Sequence, residues 1–193
     1  FNQASLSGIV MAIGFVPMLF FMPFIKNIVN KYGKKESSAV GALVSVFGGI
    51  LMLIFPLIPN KTIALVLFVL ALSIFGVGLG IYTCVSWAFM ADAIDYNEWK
   101  TGKREEGIVY SLHSFFRKLA QGIGPSLGLV LMVMLGYDEQ LEAAQVGQVP
   151  LRMRYLVAAL YLVSAIIMFV ATKYVYNLDK KTLDQMNKEL GRE

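Results

Sequence analysis

The sequence holds one cysteine and one histidine in 193 residues, and only 16% of its side chains are charged. Each shortage excludes a class of protein. Cys84 is alone, so no intrachain disulfide can form and a secreted disulfide scaffold is ruled out. Average soluble domains carry about 25% charged residues. A chain this poor in charge and 57% hydrophobic is neither a soluble globular domain nor a disordered one. His113 stands without an HExxH, Walker or Gly-x-Ser-x-Gly pattern anywhere in the chain, so no nucleophile–base or metal signature points to an enzyme. Cys84 lies inside an apolar run and reads as a small packing residue.

What the sequence has instead is long stretches free of Asp, Glu, Lys and Arg. Five occur, Phe1–Ile25, Ser37–Asn60, Thr62–Ala91, Leu119–Tyr137 and Tyr155–Thr172, with lengths of 25, 24, 30, 19 and 18 residues. A membrane-spanning helix needs about 20 mostly apolar residues, whereas barrel strands alternate in runs of about 10. The expected fold is an all-α polytopic membrane protein with five transmembrane helices. Its spans fall at about 6–29, 37–58, 62–91, 107–136 and 153–176, with a loop at 92–106 and a tail at 177–193. Leu183, Met186 and Leu190 recur at helical spacing in the tail, which reads as a short amphipathic helix or a frayed end. The chain starts at Phe1 with neither a basic n-region nor a cleavage site, and is expected to be a fragment cut just before a membrane helix.

The net charge of +4 is an orientation signal. Fourteen of the 17 basic residues lie in 26–36, 92–118 and 173–193, leaving only Lys61, Arg152 and Arg154 in the other connections. By the positive-inside rule the first set is cytoplasmic. The first residue is then outside, the C-terminus is inside, and no nucleic-acid partner is implied. Small residues at i, i+4 (Gly41, Ser45 and Gly49; Gly76 and Gly80; Gly124 and Gly128) mark close helix packing.

The segment Ala91–Gln121 concentrates the polar residues. Asp92, Asp95 and Glu98–Trp99 recur three to four apart and would share a helical face. With Lys100, Arg104 and Glu106 they read either as a solvated cytoplasmic loop or as a conformational latch. Exposed ion pairs contribute only about 0–1 kcal/mol each, but a network can bias a two-state equilibrium. Lys118 is the sharpest single residue. If the fourth span begins near Gly107, Lys118 lies about 16 Å along the helix, near the middle of a hydrocarbon core of about 30 Å. A lysine there costs at least about 2.5 kcal/mol and needs a polar cavity or a carboxylate. If the span is Leu119–Tyr137 alone, Arg117 and Lys118 sit at the headgroups. His113 and Arg117 share a face, while Lys118 points about 100° away.

The run Ala91-Asp92, Asp95-Tyr96, Glu98-Trp99-Lys100-Thr101-Gly102, Arg104, Glu106-Gly107, Tyr110-Ser111 and Arg117-Lys118 resembles the glycoside–pentoside–hexuronide:cation symporters, a branch of the major facilitator superfamily. Within that branch the glucuronide and xyloside carriers are the most similar. Such carriers have twelve helices in two halves. The resemblance implies that the five spans are helices 8 to 12, that helix 7 and the N-terminal half are missing, and that 92–106 joins helices 10 and 11. It also implies that Lys118 matches a functional lysine of helix 11. The sugar-site tryptophan of the melibiose carriers falls at Thr83 here, with Trp87 one turn away. Trp87 reads as a platform for a pyranose ring or as a packing aromatic.

The implied function is secondary active sugar:cation symport by alternating access in the cell membrane. The small-molecule partner is a glycoside. No cofactor is implied, and the ligands of the coupling ion, Na⁺ or H⁺, are expected outside this chain. The alternative is a non-transporting sensor or scaffold of the same fold.

Overall fold

The computed structural model describes residues 7–141 and 144–192. Residue 6, where the first expected span begins, and residue 193, where the expected tail ends, lie outside the described residues. The elements are all helical: α1 (Ser7–Tyr32), α2 (Lys34–Met52), α3 (Lys61–Thr101), α4 (Glu106–Met134), α5 (Val149–Val170) and α6 (Lys180–Glu189). Short 3-10 turns, Phe55–Leu57 and Glu139–Leu141, follow α2 and α4, and a π turn, Ala171–Val175, extends α5.

Local chemistry sets the boundaries. Gly33 has φ 87, a left-handed conformation that parts α1 from α2. Asn60 starts α3 by accepting from the backbone N–H groups of Thr62 and Ile63, at 3.0 and 3.2 Å. Gly102, with φ 69, stops α3 by donating its N–H to the Glu98 carbonyl at 2.8 Å. Pro17 and Pro23 both lie inside α1 without ending it.

At 41 residues α3 is about 60 Å long, twice the thickness of a hydrocarbon core. The segment 92–106, expected as a loop, is therefore helical as far as Thr101, and only 102–105 forms the turn. The apolar run carries the helix through the membrane layer, and the three-to-four spacing of Asp92, Asp95 and Glu98 carries it beyond.

Among the described residues four helical stretches are long and apolar enough to cross a membrane: Gly8–Tyr32, Lys34–Leu57, Lys61–Thr101 and Val149–Val175. The expected count of five is corrected at α4, which is not among them. Its first sixteen residues hold His113, Arg117, Lys118 and Gln121, which lower its hydropathy. Helix α4 is nevertheless continuous from Glu106 to Met134, so Arg117 and Lys118 lie inside a helix and not at its start.

The core forms where α2 meets α3 and α5. Met52, Phe55, Leu72, Phe75, Ala158 and Ala165 are buried there, with the Phe75 and Tyr161 rings edge to face at 4.7 Å. Within lipid the hydrophobic effect does not drive helices together, so close backbone approach does. A Cβ at Gly78 would lie 2.3 Å from the Gly41 carbonyl oxygen, and one at Gly48 would lie 2.6 Å from the Phe75 nitrogen. The small residues facing α3 from α2 are thus Gly41, Ser45 and Gly48, while Gly49 faces Leu162 on α5 and Gly80 faces Met18 on α1. Among the described residues nothing lies within 4 Å of a Cβ at Gly124 or Gly128. No residue of α4 is buried.

The three basic segments come together at one end of the bundle. Lys34 reaches Asp92, Lys173 reaches Glu36, and Lys180 reaches the Asn30 carbonyl. Lys61, Arg152 and Arg154 belong to the opposite ends of α3 and α5. At the basic end Leu178, just before α6, and Leu183 and Met186 of α6 pack with Tyr96, Trp99 and Tyr176.

Candidate functional site

The polar residues form three separate groups along α3. The first caps its projecting end. Arg104, from the 102–105 turn, places Nη1 2.8 Å from both Asp95 Oδ1 and Glu98 Oε2, and its Nε donates to Glu106. Arg192, beyond α6, donates to the same two carboxylates at 2.6 and 2.5 Å. Two guanidiniums thus clamp a pair of carboxylates one helical turn apart. These bonds, to Asp95 first, then Glu98 and Glu106, push Arg104 further above the ordinary guanidinium range, so it is a cation throughout. Among the described residues no three of His, Cys, Asp and Glu cluster as a metal set.

Of the six residues considered for a latch, Asp95, Glu98, Arg104 and Glu106 meet here. Lys100 does not join them. Its Nζ lies over the Trp99 ring, 4.0 Å from the centroid. Trp99 in turn donates its indole N–H to Glu189 of α6 at 2.6 Å. Asp92 forms the second group. It is 3% exposed, accepts from Lys34 Nζ at 2.5 Å and accepts from the Tyr176 hydroxyl at 2.8 Å. Burial first, and then the Asp92 charge, pushes the Tyr176 phenol upward, which keeps it a donor. Lys34, Tyr176, Glu189 and Arg192 escaped the sequence reading. Lys34 and Arg192 counted only as orientation charges, and nothing local to positions 176, 189 or 192 signals a partner near 92–99.

The third group lies within the helices. Trp87 of α3 is half exposed. The His113 ring centroid lies 5.7 Å from it, and the Arg117 guanidinium carbon lies 5.1 Å from its ring centroid. Thr83, one turn earlier on α3, is half-buried, and its carbonyl accepts from the Ser86 hydroxyl at 2.8 Å. Lys118 is exposed and has no ion-pair partner among the described residues. An indole face, an imidazole and a guanidinium therefore sit along the α3–α4 seam, with Lys118 about 100° around α4 from them.

The family model for MFS/sugar transport proteins matches residues 1–180. The chain belongs to this family. It is accordingly an all-α polytopic membrane protein of the major facilitator superfamily. Curated members are similar. The uncharacterized symporter YjmB of Bacillus subtilis (strain 168) is 33% identical over 150 residues, covering 76% of this chain and 31% of the symporter. The glucuronide carrier protein homolog of Escherichia coli (strain K12) is 37% identical over 115 residues, 60% of this chain and 24% of the carrier. The isoprimeverose transporter of Lactiplantibacillus pentosus is 33% identical over 109 residues, 53% of this chain and 21% of the transporter. The aligned part is about a third or less of each relative's length. These relatives are named as transporters and not as enzymes. No solved structure matches the chain.

Proposed function

We propose that this chain forms helices 8 to 12 of a sugar:cation symporter that works by alternating access, with its C-terminus on the cytoplasmic side of the cell membrane. One observation carries the reading. Arg117 and Lys118 sit near the middle of a 29-residue helix and have no carboxylate partner among the described residues. A cation at that depth costs at least about 2.5 kcal/mol unless something compensates it. In a two-halved carrier the compensation comes from the substrate or from an acidic residue of the other half, across the cavity that α4 would line. The unburied length of α4 and the open space around Gly124 and Gly128 fit a helix with such a second half in front of it.

The clamp on Asp95 and Glu98 supports the inner-gate part of the proposal. It ties the end of α3 to the 102–105 turn and to the tail, and all three would move together when the cytoplasmic side opens. The positive-inside sorting of 14 of 17 basic residues supports the orientation. Asp95 and Glu98 are spent on guanidiniums, so the ligands of Na⁺ or H⁺ are assigned to the other half. Thr83 and Trp87 line the sugar side.

Counterflow of a labelled glycoside in proteoliposomes, with the complete transporter, tests the reading. Wild type should exchange sugar, and Lys118→Ala should abolish ion-coupled uptake. Coupled uptake at the wild-type rate in that variant would sink the assignment of Lys118. Absence of exchange in wild type would favour a sensor or scaffold.

A further inference from the structure

The structure leaves Arg117 in an unusual position for a membrane arginine. It is exposed, it lies eleven residues beyond the start of α4, and it has no ion pair among the described residues. Its guanidinium lies over the Trp87 ring, 5.1 Å from the centroid. His113, one turn earlier on the same face of α4, covers the same indole at 5.7 Å. This cluster spans α3 and α4, two helices that otherwise touch little.

We propose that Arg117, held over Trp87 beside His113, is the specificity-determining residue that reads the acidic group of an acidic sugar. The proposal rests on the transporter reading above and deepens it.

The chemistry favours an anion on a ring. Packing on an aromatic face leaves the guanidinium edge, with its planar fork of N–H donors, unpaired. That fork matches a carboxylate in two parallel bonds, which an ammonium cannot do. Trp87 is half exposed, so its uncovered surface can take the C–H face of a pyranose while the acidic substituent reaches the guanidinium. His113 adds a ring nitrogen on the same side. Lys118, about 100° around the helix, points elsewhere and is free for coupling. The two adjacent cations thus divide the work, with Arg117 selecting the sugar and Lys118 linking it to the ion. A neutral sugar would stack on Trp87 and leave Arg117 uncompensated.

The test compares two probes that differ only in the acidic group, 4-nitrophenyl β-D-glucuronide and 4-nitrophenyl β-D-glucoside. Their dissociation constants are measured on the purified complete transporter. Wild type should bind the glucuronide tighter by roughly tenfold or more, the scale of one charge-assisted hydrogen bond. Arg117→Gln should bring the ratio towards one by weakening the glucuronide far more than the glucoside. Arg117→Lys, which keeps the charge and loses the fork, should keep only part of the preference. Equal affinities in wild type would overturn the proposal and leave the transporter reading standing. So would a preserved preference in Arg117→Gln, or an equal loss for both probes, which marks a structural role. Binding of neither probe by wild type would overturn both readings.

Discussion

Arg192 and Asp95 are 97 residues apart in sequence, and Nη1 of one lies 2.6 Å from Oδ1 of the other. The contact ties the last described residue of the chain to the projecting end of α3. Two forces hold α6 in that place, and their sizes differ. The clamp is exposed, with Arg192 one-third exposed and its carboxylate partners about one-fifth. Pairs of this kind contribute about 0–1 kcal/mol. Met186 is 1% exposed among Leu183, Tyr96 and Trp99, and truncating a buried methionine costs about 2–5 kcal/mol. Met186→Ala should therefore free α6 from the bundle, while Arg192→Ala leaves it docked and only loosens its end. Amide hydrogen exchange over 180–189 separates the two. Equal protection loss in both variants would show that charge, not packing, holds the helix.

Asp92 and Lys34 lead to a second expectation. A buried carboxylate stripped of its cation is more costly than the loss of the pair. Lys34→Met leaves Asp92 with the Tyr176 hydroxyl alone and should destabilise the protein by roughly 3 kcal/mol, the lower end for a buried pair, since Lys34 itself is one-third exposed. Asp92→Asn removes the charge, keeps an acceptor for Tyr176 and should cost less. Thermal unfolding in detergent ranks them. The reverse order would mean that the Asp92 charge is compensated by something other than Lys34.

The order of the helices and the sidedness of their connections were legible because charge is so sparse. Four of the five uncharged runs coincide with helices long and apolar enough to span, and Lys61, Arg152 and Arg154 stand out against 14 basic residues elsewhere. The projecting end of α3 was half legible. The spacing of Asp92, Asp95 and Glu98 marked a helical face, but four charged residues in 92–100 also read as a loop. Only the tertiary contacts part Asp92 from Asp95. Asp92 turns towards Lys34 and Tyr176 and is buried, while Asp95 meets two arginines near water. Arg192 was invisible as a partner because pair spacing in sequence carries no information across such a distance. The glycines show a further limit. Spacing by four offered Gly76 and Gly80, whereas Gly78 makes the tightest approach to α2. A helix dense in small residues presents them on every face, and only the neighbour decides which is used.

Gly78 and Gly124 make that point testable. A methyl at Gly78 would meet the Gly41 carbonyl oxygen at 2.3 Å and the Ser45 Oγ at 2.4 Å. The first is backbone and cannot swing away, so α2 and α3 must separate. Overpacking of this kind costs typically about 1–3 kcal/mol, and Gly78→Ala should lie at or above the top of that range. Gly124→Ala meets nothing within 4 Å and should gain up to about 1 kcal/mol from helix propensity. Melting temperatures of this chain in detergent should move in opposite directions for the two. A destabilised Gly124→Ala would show that a surface packs there after all.

Acid should undock α6. Hydrogen bonds from Gln185 first, and then from the Trp99 indole, hold the Glu189 carboxyl below its ordinary range. Asp179, which caps α6, is lowered by Thr182 through its hydroxyl and its backbone N–H. A carboxyl whose folded pKa lies below its unfolded value binds more protons when the structure is open. Its stabilising contribution is complete above the unfolded values, about 4, and is lost as pH falls through the folded ones. Both groups act in the same direction, so docking should be insensitive to pH between about 5 and 8 and should weaken below about 4. Trp99 reports it directly, because its indole N–H leaves Glu189 for water when the helix departs. Its fluorescence, followed in a Trp87→Phe background, should shift to the red on acidification. Glu189→Gln should remove that group's share of the pH dependence while Asp179 keeps its own. A shift centred near pH 6 would contradict the assignment to these carboxylates.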